Sequence, residues 1–319
     1  MTKVDRRTVL SALGASTLAG CAGPLQIGEG KRDPQGGIGG TGIVGTLTDF
    51  GSVIVNGLRV ELDGGTQLTG AFGSVSETAL ALGQSLTIEA ATDQDRLVAR
   101  RIHLTHPVIG RVTGGGRSDG VAFVEGVRVR PEPGMLGSLN AGKRVAVSGV
   151  WQGGEVVASR VDQLDDLGAS ALAGVVGRAP DGSGPTVGPV AIAMDSSLLP
   201  PVGSFVTLVW RGGGIGAYPS RIVPNRFVGA AGPLTALSVE GFLDPVPQAP
   251  SFTVAGLGHS FDDGAVLGAF RDLRALFSGP YDGTFNVAEG LPLPDDFDAR
   301  REVSRTLLAG GARRGLPVR

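Results

Sequence analysis

Residues 52–61 read SVIVNGLRVE, two alternating apolar runs (Val53, Val55 and Leu58, Val60) joined by Asn56-Gly57. An Asn-Gly pair between β-branched runs is the strongest short-range signal for a hairpin, because a type I′ turn needs positive φ at both central positions. The same order of features returns three more times in altered form. A repeating β unit is therefore the frame within which everything else must fit.

In the first unit, residues 42–45 open a strand before the hairpin, and residues 74–82 (SVSETALAL) predict a short helix stopped by Gly83. Leu86, Ile88 and Ala90, then residues 97–104, supply two more strands. The second unit repeats this order at 109–112, 122–129, 139–142, Val145 with Val147, and 156–161. The spacing from Gly83 to Gly142 equals that from Ala99 to Ala158, so the second halves of the two units keep step. In the third unit Val187-Gly188-Pro189-Val190 replaces the Asn-Gly turn. The fourth has strands at 237–242 and 252–256 and an enlarged helix over 264–278, where Val266, Phe270, Leu273 and Phe277 form a core-packing face opposite Arg271 and Arg274. With 54 Gly and 20 Pro in a chain 41% hydrophobic and 18% charged, the composition suits short strands and tight turns. The fold class expected is all-β, mainly β with short helices, built from tandem five-stranded β-barrel units. Their divisions are 41–105, 106–165, 166–225 and a divergent 226–290 with its helix. Units of this size bury only about 60% of their chain's surface and are marginal alone, so neighbours are expected to pack on one another.

The flanks differ. Residues 1–20 carry Arg6-Arg7, a modest apolar run, and then Leu18-Ala19-Gly20-Cys21. The run falls short of the roughly 20 apolar residues that span a bilayer. It resembles a twin-arginine export signal ending in a bacterial lipobox. That resemblance implies cleavage before Cys21, diacylglyceryl transfer to its thiol, and an anchor in the cell envelope; Ala22 resembles lipoproteins sent on to the outer membrane, facing the periplasm. Two or more acyl chains hold a protein stably on a membrane that it does not span. Cys21 is the single cysteine, which excludes an internal disulfide framework. Residues 21–40, rich in glycine and without apolar periodicity, read as a tether. Residues 291–319 read as a helical tail: Asp295, Asp296 and Asp298 stand at its start and Arg300, Arg301 and Arg305 further on, as the helix dipole favours, and Gly310-Gly311 ends it. Arg313, Arg314 and Arg319 beyond it read as a solvated end, with anionic lipid phosphates as the alternative contact.

The residues Gly42-Ile43-Val44, Ile54-Val55-Asn56-Gly57-Leu58-Arg59-Val60 and Ala99-Arg100-Arg101-Ile102, with echoes in units two and three, look like a family of small bacterial domains of unknown function. That family occurs in tandem in exported and lipid-anchored proteins. The resemblance implies a small barrel like the oligonucleotide/oligosaccharide-binding fold and carries no established activity.

Several patterns match chemical motifs in part. Residues 37–42 satisfy GxGxxG without a strand before or a helix after, and read as tether. Residues 137–143 match GxxxxGK, but Arg144 stands where a magnesium-holding Ser or Thr belongs and a strand follows, so they read as a turn. His103 and His106 point to opposite faces of a strand and are not expected to share a metal. His259-Ser260 is the nearest approach to a nucleophile site, yet it lacks the GxSxG elbow, and Asp262 or Asp263 fits a helix cap. Trp151 and Trp210 fall near corresponding strand ends; they read first as packing residues, and as sugar-stacking residues if exposed on one face. A net charge of −2 does not favour a nucleic-acid partner.

The expectation is a non-enzymatic, lipid-anchored envelope protein without a cofactor, a structural or binding module whose partners are a membrane through Cys21 and an envelope protein or glycan. The alternatives are a glycan- or peptidoglycan-binding protein using Trp151 and Trp210, and a hydrolase using Ser260 and His259. The first hairpin is expected to be scaffold, with specificity in the turn around Pro189 and the helix after Gly264.

Overall fold

The structure is a computed structural model describing residues 40–310 except 95, 117–119, 137–138, 166–167, 213, 225–226, 228–233, 246–251 and 260–268. Arg6, Arg7, Cys21, Ser260, Asp262, Asp263, Val266, Arg313, Arg314 and Arg319 lie outside the described residues.

Unit one contains β1 (Gly40–Asp49), β2 (Val53–Val55), β3 (Leu58–Glu61), β4 (Gln67–Gly70), β5 (Gly73–Ser74), β6 (Ser85–Asp93) and β7 (Arg96–Leu104). Five of these close a barrel: β1 runs antiparallel to β2, β2 to β3, β7 to β6 and β6 to β1, while β3 and β7 are parallel. In β3 the side chains alternate, Leu58 and Val60 inward and Arg59 outward, as a half-buried strand requires. The helix expected over 74–82 is only a 3-10 turn at Glu77–Ala79, with β5 taking Ser74. Too few residues separate Ser76 from Gly83 to repay helix nucleation.

Unit two, β8 (Val108–Gly116), β9 (Val121–Val124), β10 (Val127–Leu136), β11 (Arg144–Gln152) and β12 (Glu155–Leu164), closes with the same order and the same single parallel pair, β10 with β12. Unit three has β13 (Ala169–Arg178), β14 (Pro185–Val187), β15 (Val190–Ala191), β16 (Phe205–Arg211) and β17 (Arg221–Pro224). Val187 pairs with Val190 across Gly188-Pro189, so a hairpin forms without Asn-Gly. Among the described residues β15 and β17 are not paired with each other.

Unit four, β18 (Leu234–Gly241), β19 (Leu243–Pro245), β20 (Phe252–Val254), β21 (Leu257–His259), β22 (Ala275–Pro280) and β23 (Glu289–Pro292), departs most from the sequence reading. Ala275–Pro280 is a strand antiparallel to β18, where a helix through Ser278 was expected. Phe277 falls on a helical period with Phe270 and Leu273 and on a period of two with Ala275, and β18 decides between them by offering a full ladder of hydrogen bonds. Arg274, assigned to a solvent face, is 1% exposed.

Helix α1 (Phe297–Ala309) completes the fold. Asp296 caps it by accepting from the Ala299 amide at 2.9 Å.

The units merge into one body. β1 pairs parallel with β18, fusing units one and four into a continuous sheet; β8 pairs antiparallel with β13 and does the same for two and three. A single apolar core runs from Val108 of unit two to Trp210 of unit three, and Val44 of unit one belongs to the core of unit four. Units one and two are joined by hydrogen bonds: Ser85 Oγ meets the Gly149 carbonyl and amide (3.0 and 2.9 Å), Ser159 Oγ donates to Gly83 O (2.7 Å), and Arg160 Nη1 to Leu82 O (3.0 Å). Arg221 of unit three donates to the Ala71 carbonyl of unit one. Merged cores answer the marginal stability of units of this size.

Candidate functional site: a charged cradle beneath the C-terminal helix

The Asn56-Gly57 turn that organises the sequence also organises the site. Both residues have the positive φ of a type I′ turn, 57° and 72°. Glu125-Gly126 and Ala255-Gly256 repeat that geometry in units two and four, at 50° and 80° and at 53° and 77°. The turns reach across units. Asn56 Nδ2 lies 3.0 Å from the Val44 carbonyl and 3.2 Å from the Ser238 carbonyl, tying unit one to unit four. Ser170 Oγ of unit three donates to Glu125 Oε1 at 3.2 Å, Gly188 packs on the Trp151 ring, and Gly256 packs on Phe205.

On unit one the turn also receives α1. The Gly57 amide donates to Ser304 Oγ (3.1 Å), which lies 2.8 Å from Thr48 Oγ1; the Thr48 hydroxyl donates onward to Ile54 O (3.1 Å). Thr48 has one proton and sends it to Ile54, so Ser304 is the donor to Thr48. Leu307 covers Gly57 so closely that a Cβ there would sit 2.6 Å from the Leu307 Cβ. On the flank, Arg301 Nη2 and Arg305 Nε, one helical turn apart, both donate to Asp49 (3.0 and 2.8 Å). The Arg305 guanidinium, with Arg301 beside it, holds the Asp49 carboxyl down at about 2.

Beneath the helix lies a buried set of four charges, each side chain at most 3% exposed. Glu132 accepts from Arg274 Nη1 and Arg300 Nη2, both at 2.7 Å. Glu240 accepts from Arg274 Nε (2.8 Å) and the Thr46 amide (2.6 Å), with Arg300 Nε 3.2 Å away. Arg274 also donates to Thr46 Oγ1 (3.2 Å), and Arg300 to the Pro294 and Asp295 carbonyls (3.2 and 3.1 Å). The members come from all around the junction: Glu132 from the register break in β10 after Pro131, Glu240 from β18, Arg274 from the approach to β22, Arg300 from α1. Two negative and two positive charges cancel, as a buried cluster requires. Burial still pushes the Glu132 carboxyl above its ordinary range despite both guanidiniums, whereas those guanidiniums and the Thr46 amide together hold Glu240 below it. A narrow cleft remains between helix and cradle, lined in part by Leu276, Leu293, Val303 and Leu307. Each carboxylate of the cradle is saturated by guanidinium donors, an arrangement that grips and orients a cationic helix.

The residues singled out in the sequence lie elsewhere. Trp210 is 1% exposed, and its indole donates to Ala217 O at 2.7 Å; Trp151 is half-buried and donates to Ala173 O of unit three at 2.8 Å. Both serve packing and unit joining, and Trp210 has no exposed face to offer a sugar. His103 Nδ1 lies 2.9 Å from Thr69 Oγ1. His106 sits in the joint between units one and two, its Nδ1 buried without a partner among the described residues, and desolvation pushes its pKa down to about 4. The His259 backbone pairs with Phe252 in the β20–β21 ladder, and Ser260 is outside the described residues. Residues 140–142 turn directly into strand β11, and the Arg144 side chain is buried against Ser170. Among the described residues no group of three or more His, Cys, Asp or Glu is placed to hold a metal, and no helix is long and apolar enough to cross a membrane.

With the barrel of unit one and its turn established, the family comparison falls on that unit. Residues 41–103 match the Domain of unknown function (DUF5666). The match spans β1 through β7, the closed ring whose turn receives α1, and leaves the other three units, with Glu132, Glu240 and Arg274, outside it. No match is found among curated proteins or among solved structures. The cradle residues Glu132, Glu240, Arg274 and Arg300 were not singled out by the sequence reading as a site. One local signal points to Arg300: it shares a helix face with Phe297, Ser304 and Leu307.

Proposed function

We propose that the chain is a non-enzymatic, lipid-anchored protein of the bacterial cell envelope whose merged β units form one structural and binding body. The observation that carries the reading is the use of the turns as joints between units and as the seat of α1. The ring order of units one and two, with one parallel pair, is the order that an oligonucleotide/oligosaccharide-binding-like barrel calls for. Support for the anchor comes from Leu18-Ala19-Gly20-Cys21, for twin-arginine export from Arg6-Arg7, and for an outer-membrane, periplasm-facing address from Ala22. Metabolic labelling with palmitate tests the anchor: wild type incorporates label and pellets with membranes, and Cys21→Ser does neither. Equal labelling of the two chains, or a wild type recovered wholly in the soluble fraction, rejects it.

A further inference from the structure

We propose that Asn56 is a deamidation site held shut by the fold and that α1 is its shield, keeping a labile dipeptide from converting to aspartate or isoaspartate at the joint between units one and four. Three observations carry this.

Asn56-Gly57 is the only Asn-Gly pair in the chain, and Asn-Gly deamidates readily because glycine puts no side chain beside the attacking nitrogen. The Gly57 nitrogen, once it has given its proton to solvent, bonds to Asn56 Cγ; the Cγ–Nδ2 bond breaks and Nδ2 leaves as ammonia. Water then opens the cyclic imide at one carbonyl or the other. The products are aspartate and isoaspartate, the second with the main chain rerouted through Cβ. Units two and four build the same turn from Glu125-Gly126 and Ala255-Gly256, so the turn itself does not demand the asparagine.

The joint demands it. Asn56 Nδ2 meets the Val44 carbonyl of β1 and both the carbonyl and the hydroxyl oxygen of Ser238 in β18 (3.0, 3.2 and 3.1 Å), bridging the two strands that fuse units one and four. Its carboxamide rests against the bare Cα of Gly45. An aspartate in that place offers oxygens to carbonyls that need donors. It also brings a further negative charge to the cleft that Asn56 lines together with Glu240 and Arg300, where the buried charges already balance.

The reacting groups are pinned from both sides. The Gly57 N–H, which must be lost before attack, donates to Ser304 Oγ at 3.1 Å, and Leu307 closes over Gly57. The leaving amide is held by its acceptors on β1 and β18. Thus α1 keeps base and water from the nucleophile while the strands fix the electrophile.

The test keeps full-length chains in mildly alkaline buffer and follows the peptide containing Asn56 by mass spectrometry. Wild type should deamidate there far more slowly than a synthetic peptide of residues 52–61. Ser304→Ala, which removes the acceptor of the Gly57 amide, should react roughly five- to tenfold faster than wild type, the factor that loss of one hydrogen bond gives. Leu307→Ala, which removes the cover and keeps that hydrogen bond, should also be faster. Gly126→Ala weakens the matching turn of unit two, away from α1, and should leave the rate within about twofold of wild type, because opening at Asn56 is local. Asn56→Asp, the product in every molecule, should melt below wild type. The proposal is overturned if wild type deamidates as fast as the peptide, if both α1 variants are no faster than Gly126→Ala, or if Asn56→Asp melts with wild type.

Discussion

Replacing Arg300 by methionine removes one of two positive charges from a site that encloses two negative ones. Glu132 and Glu240 are 0% and 3% exposed, so neither can recover its lost partner from water, and Arg274 cannot balance both. Breaking a buried ion pair from one side costs about 3–5 kcal/mol. Against a total stability of about 5–15 kcal/mol, that is a large fraction. The protein has one escape, protonation of Glu132, whose pKa already stands above its ordinary value. A carboxyl with a raised folded pKa lowers stability progressively as pH climbs from its unfolded value through its folded one. The deficit of Arg300→Met should therefore be small near pH 5 and largest at pH 8. Adding Glu132→Gln leaves Arg274 facing Glu240 alone, a balanced pair, and should restore all but about 1–2 kcal/mol, so the coupling between the two positions is the roughly 2–3 kcal/mol recovered plus the cost of Glu132→Gln alone. Urea unfolding of the four chains of this cycle at pH 5, 7 and 8 supplies the measurement. A single variant within about 1 kcal/mol of wild type at pH 8, or strictly additive effects, would refute the reasoning.

Two further expectations concern the turn and its flank. Gly57→Ala combines a strained φ with a Cβ 2.6 Å from Leu307 and should cost about 2–3 kcal/mol, whereas Gly126→Ala, with φ 80° and nothing within 4 Å, should cost only about 1 kcal/mol; equal costs in thermal unfolding would remove the helix contact from the account. Asp49→Asn should lower stability by about 1 kcal/mol between pH 5 and 7. Because the folded pKa of Asp49 is depressed to about 2, that difference should fade as pH drops from 4 towards 2 in acid titrations followed by circular dichroism, and a difference constant with pH would contradict it.

The β class and the hairpins were legible because their signals are local. Alternation of period two and a turn pair with positive φ are written within ten residues, and Glu125-Gly126 adopts the same geometry as Asn56-Gly57 although the asparagine is gone. The stretch before Pro280 was misread because Phe270, Leu273 and Phe277 satisfy a helical period as well, and the deciding partner, β18, lies more than thirty residues earlier. The cradle was illegible for a stronger reason. Glu132 and Arg300 are 168 residues apart, and an isolated Glu or Arg carries no local mark of burial. Only the way the units fold back on one another brings them together. The turn expected to be plain scaffold thus holds the helix, whereas the turn at Pro189, where specificity was expected, is set against Trp151 of the neighbouring unit.

The central claim is that the units form one body instead of a string of separate barrels. Small-angle X-ray scattering from a chain of residues 40–310 tests it directly. A compact domain of that length has a radius of gyration of about 19 Å, and the account predicts that value with a single symmetric distance distribution. Four unassociated barrels in a row would give a value of roughly 30 Å and an extended tail of distances, and that result would contradict the account.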